Sequence, residues 1–105
     1  MPRIQELNDA FRRTFQGGQV LISASVSALS PDIVAQALQR VRTFNEFTED
    51  NDPYGEHDFG SFELTSHKFL WKIDYYDKSM TYGSEDPVDP EQTTRVLTVM
   101  LAEDY

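Results

Sequence analysis

The sequence predicts an α+β fold of two layers, in which a mainly antiparallel sheet of about four strands carries three helices on one face. Three observations predict it. Apolar residues recur at spacings of three and four in the segments at roughly 3–15, 31–45 and 90–102, the period of a helix with one buried stripe. They alternate with polar residues over roughly 19–26 and 61–83, the period of strands with one buried face. The chain has 105 residues, of which 39% are apolar and 12% aromatic. That suffices for one hydrophobic core and not two, so helices and strands must share it in a single domain, 1–105.

Each element has a local reason. Ile4, Leu7, Phe11 and Phe15 form the stripe of the first helix, and Gly17-Gly18 ends it. From 19 to 26, Val20, Ile22, Ala24 and Val26 point one way and Ser23 and Ser25 the other, which reads as a strand. Ser30-Pro31-Asp32 starts the second helix: a capping hydroxyl, a proline that loses nothing at the first position, and a carboxylate that complements the dipole. Ile33, Ala37, Leu38, Val41 and Phe44 line its buried side. A loop rich in Asp, Asn, Pro and Gly follows, from about 48 to 59.

Residues 61–83 read as a three-stranded meander. Turns near Ser66-His67 and Asp77-Lys78 set Leu64 opposite Phe69, Phe62 opposite Trp71 and Tyr75 opposite Met80. Asp89-Pro90-Glu91-Gln92 has the form of a helix start, with Val96, Leu97, Met100 and Leu101 as the stripe of a third helix. Trp71, Tyr75, Phe62, Phe69 and Tyr82 are expected as core rather than as a base-stacking platform, because such a platform is interleaved with Lys and Arg. Arg12-Arg13 is expected on a solvated helix surface.

Charge is unevenly placed. The formal net charge is −9. Residues 1–42 carry +2, while 43–105 carry −11, and no Lys or Arg lies between Arg42 and Lys68. A field of this sign repels nucleic acid and attracts basic surfaces. The absence of cysteine excludes disulfides, thiolate zinc sites and cysteine nucleophiles. No apolar run reaches the roughly 18 residues of a membrane span, and no signal-peptide pattern opens the chain, so a cytoplasmic protein with no membrane contact is expected.

The strings Asp50-Asn51-Asp52-Pro53-Tyr54-Gly55-Glu56-His57-Asp58-Phe59-Gly60, Trp71-Lys72-Ile73-Asp74-Tyr75-Tyr76-Asp77 and Thr94-Arg95-Val96-Leu97-Thr98-Val99-Met100-Leu101-Ala102 resemble a small bacterial family known as domain of unknown function 3768. The resemblance covers nearly the whole chain. It brings no activity with it, and implies only a setting: proteobacteria, often plasmids and other mobile elements.

Two function classes follow. The first is an acidic interaction module that engages the basic, nucleic-acid-binding surface of a partner protein without binding nucleic acid itself. Carboxylates two residues apart on an extended segment lie ~6.6 Å apart, comparable with phosphate spacing. In the setting the resemblance implies, the expected form is a mobile-element inhibitor of a defence complex, of anti-CRISPR or anti-restriction type. Its contacts would be Glu49, Asp50, Asp52, Glu56 and Asp58, with Tyr54 as an aromatic anchor. The second class is a small metal-dependent enzyme or metal-binding protein centred on Glu56, His57 and Asp58.

No cofactor is expected unless it is a divalent cation, calcium first, held by Asp50, Asp52, Glu56, His57 and Asp58. The loop from Asp50 matches a calcium loop at its acidic positions and its glycine, but Ser61 stands where the bidentate Glu belongs. A catalytic reading lacks a nucleophile beside His57. A homo-oligomer stays open.

Overall fold

A computed structural model describes residues 3–105. In chain order these form helix α1 (Ile4–Thr14), strand β1 (Gly18–Ile22), a single-turn helix α2 (Ala24–Ser27), helix α3 (Pro31–Thr43), strands β2 (Phe59–Leu64), β3 (His67–Tyr76) and β4 (Thr94–Leu101), and a 3-10 turn at Ala102–Asp104. The fold is α+β, with one four-stranded sheet in the order β1-β4-β3-β2. The sheet is mixed: β2–β3 and β3–β4 are antiparallel, while β1 runs parallel to β4.

Alternation dictates the core. Phe69, Trp71 and Ile73 of β3, Leu97, Val99 and Leu101 of β4, and Phe62 of β2 are buried in one cluster with Phe11 of α1, Val26 of α2, and Ala37 and Val41 of α3. Gly60 lies opposite Trp71 in the ladder, where a Cβ would stand 2.5 Å from the indole nitrogen. Bare backbone there is what leaves room for the indole.

Both longer helices begin as their sequences require or end where packing intervenes. Ser30 accepts a hydrogen bond from the Ile33 N–H at the start of α3. The first helix stops one turn before the glycine pair, because Phe15 takes the left-handed conformation (φ 58°) and its N–H returns to the Phe11 carbonyl. Its ring, 4.4 Å below the Arg42 guanidinium, holds that unfavourable backbone in place.

Four expectations need correction. The strand expected at 19–26 ends at Ile22, because Ser23 turns to cap α2 and accepts the Val26 N–H. The first hairpin turn is Thr65-Ser66, both with positive φ, and not Ser66-His67. Phe62 therefore faces Phe69 and Gly60 faces Trp71, a shift of two that keeps every side chain on its expected face. The meander has no third strand: after β3 only the bridge Tyr76–Gly83 remains, and Asp77 closes a tight turn by accepting the Ser79 hydroxyl and the Thr81 N–H, so Tyr82, expected in the core, is 72% exposed.

The largest correction concerns the helix expected at 90–102. Asp89 does cap a turn, accepting the Glu91 N–H and the Gln92 amide, but Thr94–Leu101 then forms the central strand β4. That strand is buried on both faces, so its apolar run carries no period-2 signature. Its Thr and Val content favours a strand over a helix.

Candidate functional site

The loop from Phe44 to Asp58 joins α3 to β2, the edge strand farthest from β1. It lacks regular structure yet is fixed at many points. Asn51 accepts the Thr48 N–H and donates to the Glu46 carbonyl. Asp52 donates its own N–H to the Thr48 carbonyl and accepts those of Glu56 and His57 at 3.1 and 3.2 Å. Gly55 and His57 take the left-handed conformation that turns the chain around that carboxylate.

The inner side of the loop rests on α1. His57 Nδ1 lies 3.0 and 3.1 Å from the two Asp9 carboxylate oxygens, and its Nε2 lies 3.1 Å from the Gln5 amide nitrogen. One arrangement satisfies both contacts: Nδ1–H donates to Asp9, and Nε2 accepts from Gln5. The Phe47 ring stacks on the imidazole at 3.8 Å and 3°. Asp9 also accepts from Arg12, whose other terminal nitrogen donates to the carbonyls of Val41, Arg42 and Phe44 at the end of α3. Arg12 is 1% exposed. It is a buried capping group and not the solvated cation expected from its sequence.

Asn8 is the second node. Its amide donates to the Glu56 carbonyl at 3.0 Å and to the Tyr75 hydroxyl at 2.7 Å, while its oxygen accepts from Arg95 Nε at 2.8 Å. The Tyr75 hydroxyl in turn donates a hydrogen bond to a Glu56 carboxylate oxygen, 3.0 Å away. Burial pushes the Tyr75 phenol well above its ordinary pKa, so it stays a donor. Arg95 lies over the Tyr75 ring and donates to the Pro87 carbonyl; burial lowers its pKa from the ordinary guanidinium value.

The acidic residues singled out from the sequence therefore divide. Glu49, Asp50 and Tyr54 are exposed, and among the described residues neither carboxylate lies within ion-pair distance of a cation. The Asp52 side chain is 6% exposed and is used to hold the loop. Glu56, His57 and Asp58 are half-buried and point to separate partners, Tyr75 for Glu56 and Asp9 for His57. Among the described residues, no three His, Asp or Glu side chains are arranged to hold a metal ion.

Burial and the neighbouring Glu56 carboxylate raise the Asp58 pKa above its ordinary value of 3.8. The sign follows. A carboxyl with a raised folded-state pKa binds more protons folded than unfolded, so stability falls as pH rises from the ordinary value through the raised one, and stays lower above it. Asp58→Asn is expected to melt at a higher temperature than the wild type at pH 7, with the difference vanishing below the ordinary carboxylate range. Equal melting curves at neutral pH would remove this assignment.

Reasoning from sequence missed Gln5, Asn8, Asp9, Arg12, Tyr75 and Arg95 as partners of the loop, and Phe47 as the ring that stacks on His57 within it. A signal was present in α1: Gln5, Asn8, Asp9 and Arg12 recur at three and four beside the apolar stripe, an arrangement that places a polar row at the edge of the core. No curated protein and no solved structure matches the chain. Over residues 22–104, which include the loop and the whole of β2, β3 and β4, the sequence matches the family model described as Protein of unknown function (DUF3768), and the chain belongs to that family.

Proposed function

We propose that the protein is an acidic interaction module whose loop 44–58 docks on a basic surface of a partner protein. The observation that carries this reading is Tyr54, 86% exposed in a loop that the molecule holds fixed from within. A large aromatic side chain kept in water by an ordered loop that also carries the exposed Glu49 and Asp50 has the composition of an interface anchor with a charged rim. Preorganisation lowers the entropic cost of docking. Two of the nine cations, Arg12 and Arg95, are buried, while Glu49 and Asp50 of the loop stay exposed.

In this reading Asp52, Glu56 and His57 shape the loop, and Glu49, Asp50 and Tyr54 make the contact. The partner surface is one that otherwise holds nucleic acid, since its phosphates and these carboxylates demand the same Lys and Arg. A nucleic-acid-binding defence complex is the specific partner class that the reading favours. The three helices are taken to form one layer on a single face of the sheet, with the loop emerging at its β2 side.

The test is affinity capture from the native cell at low and high salt, with the triple variant Glu49→Gln, Asp50→Asn, Tyr54→Ala beside the wild type. Capture is expected to fall with salt and to drop at least about tenfold in the variant. The melting temperature should be nearly unchanged, because the three side chains touch nothing in the core. Capture indifferent to both salt and substitution would overturn the proposal.

A further inference from the structure

The sheet has two edges, and they are finished differently. At the β2 edge, Arg40 of α3 donates to the Glu63 carbonyl at 3.3 Å, and Glu63 itself places a charge on the strand. The β1 edge has no such protection. Its sequence, Gly-Gln-Val-Leu-Ile, holds no charge and no proline, and it is exposed along most of its length. Edge strands of stable monomers are ordinarily guarded by Lys, Pro, a bulge or a covering element.

The unpaired groups of β1 can be identified. The Ser23 N–H donates to the Val99 carbonyl of β4 at 2.9 Å. In a strand the N–H and C=O of successive residues alternate in direction, so those of Leu21 and Gln19 also face β4. The N–H and C=O of Val20 and Ile22 face outward, and among the described residues nothing bonds to them. Leu21, 50% exposed, and Ile22, 38% exposed, stand on the two faces of this edge.

Charge narrows the occupant. From Thr14 to Pro31 the chain carries no ionisable side chain, in a molecule whose net charge is −9. The strand itself brings no charge to a second copy; the Asp104 carboxylate lies past its C-terminal end, where it accepts from the Ser23 and Ser25 hydroxyls. The outward groups are also self-complementary, because Val20 and Ile22 are placed symmetrically about Leu21.

We propose that β1 pairs antiparallel with β1 of a second copy of this chain about a two-fold axis at Leu21. Val20 of each copy exchanges both backbone hydrogen bonds with Ile22 of the other, and the two Leu21 side chains meet in the close, non-hydrogen-bonded pair. The result is one continuous eight-stranded sheet. The acidic loops, which lead into β2 at the opposite edge, then lie at its two far ends. Five residues a side make a small interface, so the dimer is expected to dissociate on dilution.

The experiment is sedimentation velocity over a dilution series of the intact chain, with amide hydrogen exchange at both ends of the series. The concentrated sample is expected to show twice the 12.1 kDa mass of the chain. The Val20 and Ile22 amides should exchange at least about tenfold more slowly there than in the dilute sample, as newly paired amides do. Leu21→Lys, which sets two like charges face to face, is expected to raise the dissociation constant at least about tenfold, with an unchanged circular dichroism spectrum. Glu63→Lys, on the other edge, should leave it unaltered.

A chain that stays monomeric throughout overturns the proposal. So does a dimer in which the Val20 and Ile22 amides exchange as fast as in the monomer. The exchange measurement on the wild type decides the matter even if Leu21→Lys fails to fold.

Discussion

Arg12→Ala is expected to cost about 3–5 kcal/mol, the range for removing one member of a buried, hydrogen-bonded charge pair. The guanidinium serves three elements at once. It donates to the carbonyls of Val41 and Phe44 at 2.9 and 2.8 Å and to that of Arg42 at 3.2 Å, closing the C-terminal end of α3. It pairs with Asp9 at 2.9 Å and lies 5.4 Å from the ring centroids of both Phe47 and Trp71. Truncation leaves the Arg42 and Phe44 carbonyls without the guanidinium donor, Asp9 with His57 but without its cation, and a cavity beside the indole.

Small domains are stable by only about 5–15 kcal/mol, so this one change threatens folding at 37 °C. Arg12→Lys should recover less than half of the loss, since an ammonium cannot reproduce the planar fork that reaches four acceptors. Urea denaturation of the three proteins measures this directly. A loss below about 1 kcal/mol for alanine would show that water replaces the guanidinium at the end of α3.

Asn8→Ala is expected to cost about 2–4 kcal/mol, as the cost of leaving several buried polar groups unsatisfied. Asn8 is fully buried and joins α1 to the loop, to β3 and to β4 through Glu56, Tyr75 and Arg95. Its amide is both donor and acceptor, a pattern no other side chain of that size reproduces. Asn8→Asp should therefore fail to rescue: it keeps the acceptor for Arg95, loses the donors to Glu56 and Tyr75, and adds a carboxylate beside Glu56. A distinguishing signature is local. Hydrogen exchange at the Glu56 and His57 amides, held by Asp52, should quicken more than at β3 amides. Uniform acceleration across both would show that Asn8 supports the whole fold and not the loop in particular.

The same residues mark where the sequence was readable. Alternation at 69–75 placed Phe69, Trp71 and Ile73 in the core, and Ser30-Pro31-Asp32 started α3, because both signals are local. The turn at Thr65-Ser66 was misplaced because neither residue is the Gly or Asn that usually marks two positive φ angles. At 94–101 the apolar run fits a buried helix and a central strand equally by period. Only the positions of β1 and β3 on either side show that it must be a strand. The acidity of the loop and the exposure of Tyr54 were legible as composition; the internal use of Asp52 was not, since its donors are backbone N–H groups that carry no sequence code.

What the sequence alone determined is the α+β class, the start and buried stripe of α3, the aromatic face of the sheet and the acidic character of residues 43–105. Tertiary structure alone decided that β4 lies at the centre with β1 parallel to it, and that Arg12 and Asn8 are interior. It alone decided that the acidic loop is tied to α1 through Asp9 and His57. The physical reason is range. Periodicity and capping act within a few residues, whereas a buried polar group is defined by partners up to 87 positions away, as Asn8 and Arg95 are.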